Sequence, residues 1–422
     1  MYSRIEQEQV SGRVQNALEG SRLLLENAKV CGISAYPSAD YDLAAAMMLA
    51  GKQLHFACKS DLALELAKEG YEIFISIEAR REHDNPLRMA SYCLKLQGDC
   101  FRDLGRYKNA AIAYSEASRI AISTGDNRLI AVCNGNLGTV LLNQRRYAEA
   151  LTVYLKTRDL FTSMKEPRNI SVACHQIGRV YEELKDHARA EEAYLQALAI
   201  DVDIKDYAAQ AISLNHIGLL YSNILHRYED AVVLYKRAVE LCELAGDAVG
   251  KGKKLCNLSD TLNRLKNYDE AKQSIYQALS CVEGHGAPAE PWRCWDVLAR
   301  IETAIGNIAE AGIARTKAIE MFIDFRKAGG ENNTSHGILL REIEEAVAKE
   351  YNLAGIRDRL HNLINDPCWS ESSTFINSLH EICNGEQARK LAEDPRLTYI
   401  EAAEILLLIE TIYSPSTGSS LR

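Results

Sequence analysis

Four side chains that can each donate and accept a hydrogen bond stand at near-constant intervals: Asn136, Gln176, His216 and Asn257, separated by 40, 40 and 41 residues. Amides and an imidazole at a fixed rise can pair with the main chain of an extended peptide. Close beside them are His175, Arg179, Asn215, Asp260 and Arg300. These are of mixed sign, so they do not make a simple anion trap. A second set of residue types bears on catalysis. His336-Gly337 is followed, 47 residues after the histidine, by Cys383-Asn384-Gly385, a base and a thiol. Other chemistry-bearing patterns are missing from the sequence: no glycine-rich phosphate loop, no HExxH, no GxSxG and no paired acidic motif. The twelve cysteines show no CxxC spacing and no zinc-type ligand pattern. No cofactor or metal is expected.

Recurring polar residues need recurring elements to position them. Residues 131–161 read AVCNGNLGTVLLNQRRYAEALTVYLKTRDLF. Gly138 falls inside a helical pattern, where glycine costs about 1 kcal/mol against alanine. A chain keeps that cost where a second helix must pass close by. Ala150, twelve residues on, is expected to meet Gly138, with Tyr154 filling the space one turn later. The polar run Asn143-Gln144-Arg145-Arg146 makes the turn, so the segment is a hairpin of two helices. Copies follow the same pattern at Gly98, Ala110 and Tyr114, at Gly178, Ala190 and Tyr194, and at Gly218, Ala231 and Tyr235. Two weaker copies carry Ser259, Ala271 and Ile275, then Ala299, Ala311 and Arg315. The anchors at 98, 138, 178, 218, 259 and 299 are 40, 40, 40, 41 and 40 apart. Gly51 and Ala63 mark a degenerate first hairpin over 41–57 and 61–77. Stacking such hairpins places the first helix of each along one inner wall. Asn136, Gln176, His216 and Asn257 all stand two residues before an anchor.

The small–large pattern resembles the tetratricopeptide repeat (TPR), in the variety with a period near 40, over residues 41–327. The resemblance implies an all-α, right-handed αα-superhelix with a concave groove. It implies that residues around each anchor face that groove, so Asn136, His175, Gln176, Arg179, Asn215, His216, Asn257, Asp260 and Arg300 form the partner-binding face. The polar series is similar to the asparagine ladder of long-helix TPR proteins that hold peptides. Lys95 occupies one place of the family's clamp for terminal carboxylates, but no full set follows. The His336 and Cys383 pair is similar to that of caspase-like proteases, some of which carry TPR arrays. That fold sets its pair at strand ends, whereas the residues between them here have a helical pattern and the QAC motif is absent.

Composition narrows the function further. The 422 residues are 47% hydrophobic and 25% charged, with a net charge of −9, which argues against general nucleic-acid binding. No apolar run approaches the length of a membrane span, and the first residues lack a signal-peptide core. Cys93, Cys133 and Cys294 each stand five before an anchor and read as small buried packing residues of a reduced, cytoplasmic protein. The expected organisation is an N-terminal helix and cap over 1–40, a seven-hairpin array over 41–330, a C-terminal helical bundle over 331–413 and a disordered tail over 414–422. The bundle is expected as helices over 338–351, 355–364, 372–383, 385–392 and 398–413. The function expected is that of a non-enzymatic scaffold or adaptor holding a protein or peptide partner in the groove, with no nucleic acid and no membrane. The alternative is a ligand-gated regulatory TPR protein whose superhelix changes shape on binding. The remote alternative is a caspase-like protease partner or remnant.

Overall fold

A computed structural model describes residues 14–80, 85–330, 335–348, 354–364, 366–384 and 389–413. Among the described residues there are nineteen α-helices and no strand. The expected all-α class of the αα-superhelix is the one observed. The chain divides into two compact units, Met1–Ser213 and Leu214–Arg422.

In the first unit, α1 (Val14–Cys31) packs on α2 (Ala39–Phe56), and α2 pairs with α3 (Ser60–Arg80). The regular hairpins follow: α4 (Pro86–Asp103) with α5 (Tyr107–Thr124), α6 (Asn127–Asn143) with α7 (Tyr147–Ser163), and α8 (Pro167–Glu183) with α9 (His187–Asp203). The expected N-terminal helix over 5–30 is described only from Val14, and residues 5–13 lie outside the described set. The turns inside these hairpins put Gly105, Arg145 and Lys185, at intervals of 40, in the left-handed region with φ of 68°, 60° and 61°. Only Gly105 adopts that conformation without steric cost. Starts are capped where an aspartate is available: Asp126 accepts from the Leu129 N–H at 2.9 Å, and Asp186 from the Arg189 N–H at 3.2 Å.

The expected close contact between Gly138 and Ala150 needs correction. A Cβ placed on Gly138 would lie 2.8 Å from the Tyr154 ring. On Gly98 it would lie 2.6 Å from Tyr114, and on Gly178 2.6 Å from Tyr194. The atoms nearest each placed Cβ belong to the second-helix tyrosine ring, so the glycine makes room for that ring. Ala110, Ala150 and Ala190 are fully buried beside these contacts. Burial and neighbouring carboxylates push the Tyr114 and Tyr194 phenols well above the ordinary value. Tyr154 is pushed up by burial alone. The cysteine expectation holds here: Cys93 and Cys133 are buried, with burial raising each thiol to about 12.

In the same unit Asp201, on α9, is 1% exposed. Its carboxyl is pushed up by burial, and Ser213 Oγ donates to it across 3.5 Å. The folded chain therefore holds this proton more tightly than the unfolded chain does. Stability is highest with the group protonated and declines as pH rises through the raised value. Asp201→Asn is expected to stabilise the fold at neutral pH, with the gain lost once the pH falls below about 4, the unfolded carboxyl value. Thermal melts at the two pH values check this, and an equal effect at both would contradict it.

The helices that follow are α10 (Tyr207–Asn223), α11 (Tyr228–Ala245), α12 (Ala248–Arg264), α13 (Tyr268–Val282), α14 (Pro291–Ala304) and α15 (Ile308–Lys327). In the second unit Gly218 repeats the glycine–tyrosine contact, with 2.7 Å from a placed Cβ to the Tyr235 ring. The next hairpin lacks it for a stated reason. Ile275 replaces the tyrosine, and the space above takes Ser259, whose Oγ donates to the Ala271 carbonyl at 2.7 Å. In the last hairpin the tyrosine position is Arg315, which donates to the Leu397 carbonyl at 2.7 Å.

The C-terminal segment has α16 (Ser335–Ala348), α17 (Ala354–Ile364), α18 (Ser373–Cys383) and α19 (Tyr399–Tyr413). These follow the expected helices, with 349–351 of the first outside the described residues, except for the fourth, where only a 3₁₀ turn (Arg389–Glu393) is described and 385–388 are not. Leu340, Ile343, Phe375, Leu379, Ile405 and Leu408 make a separate core. The apolar α19 is buried, as its sequence required. It packs on α15, where Tyr399 and Phe322 meet edge-on at 6.1 Å.

Candidate functional site

The first helix of each hairpin carries the polar rows, and each unit holds its own part. In the first unit Asn136 and Gln176 are half-buried on α6 and α8. Asn136 donates its amide to Asp99 on α4 at 3.1 Å. Asp99 is itself buried and accepts from the Tyr114 hydroxyl at 2.7 Å, with Lys95 Nζ 2.6 Å away. One carboxylate thus ties two first helices to a second helix. Gln176 accepts from Arg179 at 3.0 Å, and the His175 ring tilts against Tyr194 at 5.3 Å. Tyr194 donates to Glu182 at 2.5 Å, and burial holds that carboxyl above its usual range. Arg179, Glu182 and Glu183 line a polar hollow of about 370 Å³ with Asn143, Arg145 and Tyr147.

In the second unit Asn257 donates to Asn215 at 2.8 Å and accepts from Arg293 at 3.4 Å. Arg300 pairs with Asp260 at 2.5 Å and Asp296 at 3.1 Å, and Arg264 reaches Asp260 at 3.2 Å. His216 is half-buried on α10. Asn136, Asn257 and Gln176 therefore lie neither in the packed seam nor fully open to water. Each uses part of its hydrogen-bonding capacity on a neighbour, and a carboxamide has two donors and two acceptor sites, so capacity remains.

A further series of repeated residues is absent from the sequence reading. Arg88, Arg128 and Arg168 stand ten residues before Gly98, Gly138 and Gly178. Each pairs with an acid just before the first helix of the following hairpin: Arg88 with Asp126 at 2.8 Å, Arg128 with Glu166 at 3.3 Å and Arg168 with Asp206 at 2.9 Å. The interval of 40 was the available signal, hidden because charged residues at exposed helix starts carry no pattern of size or polarity. Asp99 was missed because an acid directly after an anchor recurs only at Asp260, four repeats on.

The family pattern described as tetratricopeptide repeat matches residues 88–163 and 169–244, and a second pattern of that description matches 255–280. Those stretches are tetratricopeptide repeats. No curated protein matches its sequence. The apo form of RapI is similar in structure, with a TM-score of 0.52 at 15% identity, covering 67% of this chain and 99% of that one. A signal transduction ATPase with numerous domains (STAND) from Pyrococcus horikoshii, with a tetratricopeptide repeat sensor, gives 0.56 at 15%, covering 75% of this chain and 48% of that one. The match thus spans about half the length of the Pyrococcus protein. At these identities the shared property is the fold.

Within the TPR frame two earlier expectations can be placed. Lys95, the lone clamp-type lysine, is held by Asp99. The caspase-like pair finds no supporting geometry among the described residues. His336 Nε2 lies 2.8 Å from Ser372 Oγ, and its ring sits against Trp369 and Phe375. Cys383 is buried in the helical core and its thiol is pushed up by burial, the opposite of an activated nucleophile. Gly385 lies outside the described residues. No helix among them is long and apolar enough to cross a membrane.

Proposed function

We propose that this TPR protein is a non-enzymatic scaffold or adaptor of the cytoplasm that binds a protein or peptide partner on the first-helix faces of its hairpins. The observation that carries the reading is the recurrence of half-buried, hydrogen-bonding side chains two residues before successive anchors. Asn136 and Gln176 serve the first unit, with His175 and Arg179 beside them. His216 and Asn257 serve the second, with Asn215, Asp260 and Arg300. An extended partner brings unpaired backbone N–H and C=O groups at regular rise, which such side chains can satisfy. Asn136→Ala, Gln176→Ala and Asn257→Ala combined are expected to abolish capture of the partner from a native lysate. The far-UV circular dichroism should be unchanged, since each alanine favours helix. Retained capture would place the binding surface elsewhere.

A second reading is regulatory. The Pyrococcus protein's repeats are described as a sensor, and a ligand that bridges first helices in this chain would favour one packing of the repeats. Small-angle scattering separates the readings. A regulator compacts when its ligand is added, and a rigid scaffold keeps its radius of gyration.

A further inference from the structure

The arginine series of the first unit has a companion. One turn on from Arg88, Arg128 and Arg168 stand Tyr92, Val132 and Val172, and eight residues on stand Leu96, Asn136 and Gln176. Positions i, i+4 and i+8 share one side of a helix. Three adjacent first helices thus present a cationic row and an apolar row about 6 Å apart along the helix axis. Val172 is 54% exposed, while Tyr92 and Val132 are half-buried and the Tyr92 hydroxyl donates to Asp126 at 3.3 Å.

The arginines are paired, yet the strip is presented as cationic. Their side chains are 50%, 69% and 77% exposed, and the acids that hold them are 7%, 26% and 15% exposed. The acids are also engaged on their second oxygen. Asp126 accepts from the Leu129 N–H, Asp206 from the Ala209 N–H, and Glu166 from the Asn169 amide. Each ion pair involves one nitrogen of a five-donor fork. An approaching anion therefore meets N–H groups first, on a chain whose net charge is −9.

We propose that this face of the first unit, from α4 to α8, docks an acidic, extended partner segment. Its carboxylates lie on Arg88, Arg128 and Arg168, and its apolar side chains on Tyr92, Val132 and Val172. The inference rests on the first-helix face being the binding surface and adds the partner's chemistry. Both rows must be met by one face of the partner, because side chains bridge successive first helices, as the Asn136–Asp99 bond shows. A polyproline II segment rises about 3.1 Å per residue with three residues per turn, which returns every third side chain to one face after about 9 Å. An acid at every third position, with an apolar residue at a fixed offset, presents both kinds of side chain in regular rows.

Fluorescence anisotropy with a labelled peptide of four Glu-Leu-Pro repeats, and its Gln-Leu-Pro twin, tests this on the full chain. The Glu peptide is expected to bind about tenfold tighter at low salt, with the advantage shrinking as salt is added. Arg88→Gln, Arg128→Gln and Arg168→Gln combined should erase the difference. Because that variant also loses three ion pairs, Val172→Glu serves as a second probe, placing a carboxylate in the strip at an exposed site, and it too should reject the Glu peptide. Equal binding of the two peptides overturns the proposal. So does full discrimination by Val172→Glu, or tighter binding of a helical peptide with Glu at every seventh position. If the peptides bind alike while the Asn136, Gln176 and Asn257 alanine variant still loses its captured partner, the binding face stands and only the acidic occupant falls.

Discussion

Tyr114→Ala is expected to destabilise the first unit by about 3–5 kcal/mol, the range for deleting a fully buried aromatic side chain. Two losses combine. The ring covers Gly98, and its removal leaves a cavity between α4 and α5 that two backbones cannot close. The hydroxyl donates to Asp99, a buried carboxylate that also holds Lys95 and Asn136. Tyr114→Phe separates the two, removing only the hydroxyl at about 1–3 kcal/mol, since the buried acceptor then lacks one donor. Urea denaturation of both variants gives the comparison. A phenylalanine variant as unstable as the alanine variant would show that the hydrogen bond to Asp99, not the ring, dominates this contact.

Gly178→Leu is expected to cost about 1–3 kcal/mol through overpacking. The branch would enter space held by the Tyr194 ring, 2.6 Å from where even a Cβ would sit. The ring cannot retreat, because its hydroxyl is bound to Glu182 and its edge meets His175. The test is a double-mutant cycle. Added to Tyr194→Ala, Gly178→Leu fills part of the space the ring leaves, so the combined cost should fall below the sum. An unchanged melting temperature in Gly178→Leu alone would contradict the packing. The corresponding Ser259 already has a side chain and a smaller partner in Ile275, so Ser259→Ala should cost little beyond its bond to Ala271.

The amino-acid order by itself determined the helical hairpins, the ends of most helices to within a few residues and the anchor positions. It could do so because helix periodicity, turn residues and residue size are local properties that repeat every 40 or 41 positions. The four polar positions were legible for the same reason. Tertiary structure alone decided what meets what. Whether Gly138 faces Ala150 or the Tyr154 ring depends on the rotation of one helix about its axis, which size alone leaves open. That Asn136 reaches Asp99, 37 residues earlier, and that Arg88 reaches Asp126, 38 residues later, follows from the stacking of successive hairpins. Contacts between repeats depend on that stacking distance and angle, and no single stretch of chain encodes either.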